Sequence, residues 1–212
     1  MHKVRSHGNS PSGAIHQARA YELLSSLVFA GRRRRIFGRL VELADVHAGD
    51  EVLDIGCGPG YLTSLAAQAG SRAVGIDVSE QMIAEANRKR AGAGCSFLVG
   101  KAEALDLPDA SFDVVVSSLA IHHIPEDARA QAFAEMFRVL RPGGRVLIAD
   151  FLPPQGFLAR HLVGATAGET MRDNPVERIA PMLAGAGFDL GPSTKVSWFL
   201  HCVRADKPGV AR

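Results

Sequence analysis

The residues best suited to chemistry stand in one short run, Val52-Leu53-Asp54-Ile55-Gly56-Cys57-Gly58-Pro59-Gly60-Tyr61. An apolar strand here meets three glycines and then a helix. Such a turn lets a ligand approach the backbone closely, because no Cβ stands in the way. A plain tight connection would explain the glycines alone. The spacing is more telling: it is GxGxG with Pro59 inside, not the GxGxxG that cradles a pyrophosphate. Asp54 also precedes the first glycine by two residues. A carboxylate there repels a pyrophosphate and attracts an ammonium group. A second acid, Asp77, lies 21 residues beyond Gly56 in Gly75-Ile76-Asp77-Val78-Ser79. At the tip of a second strand it can accept both hydroxyls of a ribose; a surface or helix-capping aspartate is the alternative. His122 and His123 complete the set. A neutral imidazole in that loop can take a proton from a hydroxyl, an amine or an activated carbon, although either one can instead hold the backbone.

These side chains need a frame, and the hydrophobic pattern supplies it. Short apolar strands are predicted over Glu51–Ile55, Ala73–Asp77, Ser96–Val99, Phe112–Ser117 and Arg145–Phe151. Helices alternate with them over Tyr61–Ala69, Glu80–Ala91 (with Ser79 as its N-cap) and Asp127–Val139. That succession implies a parallel sheet covered by helices on both faces. Arg141-Pro142-Gly143-Gly144 reads as a turn. A later helix ends near Gly185, and Asp189–Val203, broken at Gly191-Pro192, reads as two strands that finish the sheet with an antiparallel pair. Cys202, alternating with Trp198 and Leu200 in the last strand, reads as core. Residues 1–13 are polar and aperiodic, a tail expected to be mobile. Helical spacing over 14–46 suggests a lid on a domain spanning 47–206, joined by a short amphipathic helix around Phe157, Leu158, Leu162 and Val163.

The motifs VLDIGCGPG, the acidic end of GID, Ala102-Glu103, FDVVVSSLAIHHI and VLRPGGRVLIAD arrive in a familiar order. In this the sequence resembles the class I S-adenosylmethionine-dependent methyltransferases, from about residue 45 to 151 and more weakly to 205. Ala20-Tyr21-Glu22-Leu23-Leu24 and the basic helix beyond it make it similar to the small ubiquinone/menaquinone C-methyltransferases. The resemblance implies an α/β, Rossmann-like, doubly wound sheet of seven strands, mostly parallel, with an antiparallel last strand. It implies S-adenosyl-L-methionine as cofactor and the following roles. Gly56, Gly58 and Gly60 would shape the turn under the methionine part, with Asp54 near its amino group. Asp77 would hold the ribose; Val78 and Met82 would touch the adenine, and Ala102 and Glu103 would line its far edge. Ser118 and Leu119 would face the sulfonium, and Tyr21 would close the site.

Methyl transfer from a sulfonium requires alignment and exclusion of water, not a covalent nucleophile. Cys57 is therefore read as packing, and the His122/His123 pair as the candidate catalytic base. The run Arg32, Arg33, Arg34, Arg35 is read first as a solvated helix face, with contact to an anionic substrate or membrane surface as the alternative. The chain has 212 residues, 24 Lys+Arg against 22 Asp+Glu, and three scattered cysteines. That balance excludes a nucleic-acid binder resting on bulk charge, and no disulfide framework or zinc motif is present. No metal is expected, and no apolar stretch reaches membrane-spanning length. The expected setting is cytoplasmic and the expected partner a small, lipophilic or aromatic acceptor; a homodimer stays open. The alternative function is a non-catalytic binder of S-adenosylmethionine or S-adenosylhomocysteine acting through association, and a nicotinamide oxidoreductase is a third reading.

Overall fold

A computed structural model of the chain describes residues 31–151 and 178–209. It opens with α1 (Arg33–Leu43), β1 (Glu51–Ile55), α2 (Tyr61–Gln68) and β2 (Arg72–Asp77). Next come α3 (Glu80–Arg90), β3 (Cys95–Val99), β4 (Phe112–Ser118) and a 3-10 turn at Ile121–His123. Then follow α4 (Glu126–Val139) and β5 (Leu140–Phe151). Last are α5 (Ile179–Gly185), β6 (Asp189–Lys195) and β7 (Leu200–Asp206).

The seven strands form one sheet in the order β3-β2-β1-β4-β5-β7-β6. Pairing is parallel from β3 through β5, and β7 runs antiparallel to both β5 and β6. Strand order reverses between β1 and β4, and ligands of open α/β sheets bind at such a reversal, outside the carboxyl ends of the strands. Period-two alternation sorts the core. Leu53 and Ile55 pack with Phe133, Met136 and Leu183 of α4 and α5. Val52 on the opposite face packs with Leu40 of α1 and with Leu62 and Ala66 of α2. Thus α1 shares a core with the sheet. Phe133 is fully buried, so truncation to alanine costs about 3–5 kcal/mol.

Most boundaries expected from the sequence agree within a residue. Ser79 caps α3, accepting the Met82 N–H at 3.3 Å. Two expectations change. Arg141–Gly144 does turn, but as a bulge inside a longer β5: Phe112 pairs with Leu140 and Val114 with Arg145. Cys202 is core as expected, but Trp198 lies outside the strand's alternation, 76% exposed in the β6–β7 turn, and Phe199 is buried instead. The alternation read through Cys202 begins only at Leu200, where pairing with Phe151 starts. Tyr21, the helices expected before residue 31, the amphipathic segment after β5 and His161 lie outside the described residues.

Candidate active site

The turn after β1 is built by side chains that touch it from below. Asp77, at the end of β2, accepts the Gly58 N–H through Oδ2 and the Ser79 N–H through Oδ1, each at 2.9 Å. Gly56 and Cys57 donate their N–H groups to the Ile76 carbonyl at 2.8 and 3.0 Å. The tips of β1 and β2 are thereby laced together.

The three glycines do different work. At Gly60 φ is +80°, and an added Cβ would lie 2.4 Å from Phe97 of β3. That glycine is required by packing, and it lines neither cavity described below. Gly56 is closed off similarly by Ala120, 2.2 Å from an added Cβ. At Gly58 φ is +53°, yet nothing stands within 4 Å of an added Cβ. That side of Gly58 is open space, and Gly58 lines both cavities described below.

Two cavities meet at this turn. The larger, of about 370 Å³, is lined by Gly56, Gly58, Asp77, Val78, Met82, Ala102, Glu103, Leu119 and His123 among others. Its size falls in the range of small-molecule sites, roughly 300–1,000 Å³. Val78 is 65% exposed, an apolar face on the cavity wall. A carboxylate offers about four acceptor positions, and two at Asp77 are used by backbone N–H groups, which leaves room for two ligand hydroxyls. The smaller recess, of about 40 Å³, is lined by Arg33, Asp54, Gly56, Cys57, Gly58, Tyr61, Ser118 and Leu119 with three others. The Ser118 hydroxyl is buried with no hydrogen-bond partner in the structure. Leu119 lines both cavities at a φ of 57°, a conformation costly for a leucine. It is held there by donating its N–H to the Ala149 carbonyl at 2.8 Å.

Asp54 is fully buried and accepts a hydrogen bond from Thr63 Oγ1 of α2 at 2.6 Å. Burial pushes its pKa up to about 7, against the opposing hydrogen bonds from Thr63. It is therefore poised between neutral and charged at ordinary pH. Cys57 is buried and its thiol pushed far up by desolvation, which makes it packing, as expected.

The two histidines part company. His122 is buried; Nδ1 lies 2.8 Å from Asp150 Oδ1 and its N–H donates to Oδ2 at 3.3 Å. Asp150 sits at the end of β5, so the pair pins the β4–α4 loop to its neighbour strand. His123 packs on His122, ring centroids 4.1 Å apart, and is the one that lines the larger cavity. Its pKa lies below the usual histidine value, because burial disfavours the cation and His122 adds to that. Asp150 was not legible as a partner: nothing in the sequence pairs it with a residue 28 positions earlier.

The arginine run also divides. Arg32, Arg34 and Arg35 are exposed. The Arg33 guanidinium instead lies 4.1 Å from the Tyr61 ring centroid and lines the small recess. Four identical residues carry no pattern, so only the packing of α1 against α2 reveals which one turns inward.

The methyltransferase domain family matches residues 52–144. Over 123 residues the chain is 40% identical to 27-O-demethylrifamycin SV methyltransferase of Amycolatopsis mediterranei, covering 56% of this chain and 44% of that one. It is 35% identical over 138 residues to demethylmenaquinone methyltransferase of Thermus thermophilus, covering 63% and 62%. The chain thus spans about half the length of the curated relatives it matches. Among solved structures, a Haloferax volcanii methyltransferase in complex with the activator Trm112 superposes with a TM-score of 0.74 at 19% identity, covering 93% of this chain and 99% of that chain, a likeness of fold. With the sheet order, the laced glycine turn and the domain match in agreement, residues 52–144 form a methyltransferase domain, on a sheet of the class I S-adenosylmethionine-dependent type.

Proposed function

We propose that the protein transfers a methyl group from S-adenosylmethionine to a small lipophilic or aromatic acceptor. The observation that carries this reading is the Asp77–Gly58 lacing beside an open cavity: an acid with two free acceptor positions next to backbone a ligand can touch. When bound, S-adenosylmethionine supplies an activated methyl group on a sulfonium. The chain's own residues do the rest. Asp77 holds the ribose hydroxyls. Val78, Met82, Ala102 and Glu103 enclose the adenine. Asp54, in its ionised form, and the unpartnered Ser118 hydroxyl receive the amino-acid end in the small recess, and Gly56 and Leu119 form the wall shared by the two cavities. The relatives are named for 27-O-demethylrifamycin SV, demethylmenaquinone and malonyl-acyl carrier protein, and a ring-bearing acceptor is the class tested first.

Of the candidate bases, His123 faces the cavity and stays neutral below the usual histidine range. It takes the acceptor's proton, and His122 with Asp150 keeps the loop in place. Labelled methyl transfer to a panel of hydroquinones, phenols and carboxylic acids tests the reading. His123→Ala is expected to lose turnover on a hydroxyl acceptor by roughly 10²–10⁴-fold while binding S-adenosylhomocysteine normally. Binding of the nucleoside with no transfer to any acceptor would instead favour a non-catalytic binder.

A further inference from the structure

The residues that would read the adenine, Ala102 and Glu103, sit on the connection from β3 to β4, which carries no helix or strand of its own. Binding residues on such a segment need a rigid scaffold to position them, since loops yield easily. Its first anchor is the Gly100 N–H, which donates to the Asp77 carbonyl at 3.0 Å. The second comes from α4, which shares a core with this segment through Ala102, Leu105 and Met136. Glu135 Oε2, in the last turn of α4, accepts the Leu105 N–H at 2.8 Å, and Arg138 Nη2 donates to the Leu105 carbonyl at 2.9 Å. Arg138 Nη1 donates to the Leu107 carbonyl at 2.8 Å and to Asp109 at 2.6 Å. The two side chains are joined by a fork, Nε to Oε1 and Nη2 to Oε2, both at 2.8 Å. Both backbone groups of Leu105 are therefore held by one ion pair, two residues beyond Glu103.

We infer that Glu135 and Arg138 are positioning residues that hold the adenine wall in register, and so set the selectivity for the base of the cofactor. A charged fork is suited to this. Its hydrogen bonds are stronger than neutral ones, and the planar guanidinium fixes direction as well as distance. The pair lines neither cavity of the candidate site and acts only through the loop. This inference rests on the methyltransferase reading, because it presumes that the cavity receives an adenine.

The test uses Arg138→Met and the milder Glu135→Gln, with Arg141→Met as control, since Arg141 pairs with Asp113 and touches neither cavity. Affinity is measured by calorimetry for S-adenosylhomocysteine and for S-inosylhomocysteine, whose base lacks the exocyclic amine. Well below the melting temperature, Arg138→Met is expected to bind S-adenosylhomocysteine about tenfold more weakly, with a flattened preference over the inosyl analogue. The control keeps both. Amide exchange over residues 100–110 of the ligand-free protein is expected to quicken in Arg138→Met. A lowered melting temperature with unchanged affinity, preference and exchange overturns the positioning role. If Arg138→Met does not fold, the same readouts on Glu135→Gln decide. If the wild type binds neither nucleoside, the methyltransferase reading itself fails, while the exchange comparison still reports whether the pair holds the loop.

Discussion

The two ends of the candidate site are built on different principles. The nucleoside end is a cavity of about 370 Å³ bounded by strand tips and backbone groups already in hydrogen bonds. The amino-acid end is a recess of about 40 Å³ holding a half-neutral buried acid, an unpartnered hydroxyl and an arginine stacked on tyrosine. One end is preformed; the other holds an acid poised between its neutral and charged forms beside a hydroxyl with no partner. Preorganised acceptors suit recognition of a rigid nucleoside, because no reorganisation opposes binding. An acid that can take up or release its proton suits the end where a cationic group must be held and released. Leu119, strained at positive φ, stands between them.

The largest expected effect breaks the preformed end. Asp77→Ala removes the acceptor for Gly58 and Ser79 together with the proposed ribose contact, and is expected to weaken S-adenosylhomocysteine binding about 100-fold or more in calorimetry. Next, the glycines separate packing from access. Gly60→Ala collides with Phe97 and is expected to lower stability by about 1–3 kcal/mol in denaturant unfolding. Gly58→Ala meets no protein atom and is expected to cost only about 1 kcal/mol in stability, from its positive φ, while its main effect falls on nucleoside affinity. Equal effects of the two substitutions on affinity would erase the distinction.

Much of this was legible in the sequence because it depends on local spacing. The interval from Gly56 to Asp77 and the Ser79 cap follow from one β-α-β unit, and the parallel strands read as uninterrupted apolar runs. What was not legible depends on which distant surfaces meet. Thr63 is an ordinary helix residue until α2 lies over β1 and brings it to Asp54. Arg33 differs from Arg32 only once α1 is packed, and the grip of Glu135 and Arg138 on Leu105 spans some 30 residues. Trp198 failed for the opposite reason: a period-two pattern was carried past the point where the strand begins.

The amino-acid end gives a smaller effect, visible in pH. Asp54 has its folded-state pKa raised from 3.8 to about 7. The folded protein therefore retains a proton that the unfolded chain releases above about pH 4. Its contribution to stability is full below that value and is lost as pH rises through about 7. A ligand ammonium favours the ionised form, so nucleoside binding is expected to release a proton near pH 7 and to weaken as pH falls below it. Calorimetry in two buffers of different ionisation heat detects the release, and Asp54→Asn is expected to abolish it. Smallest is Arg33→Met, expected to leave the larger cavity untouched and to weaken nucleoside binding only about two- to fivefold, through the loss of one partly exposed cation at the recess.

The most direct test of the central claim, that the turn after β1 and the acid at the end of β2 seat the adenosyl part of the cofactor, is a calorimetric titration of S-adenosylhomocysteine into the wild-type protein, with NAD titrated in parallel. Saturable heat for one S-adenosylhomocysteine per chain, lost in Asp77→Ala, and none for NAD is the expected result. A flat titration with S-adenosylhomocysteine by a protein shown to be folded, or saturable binding of NAD in its place, contradicts it.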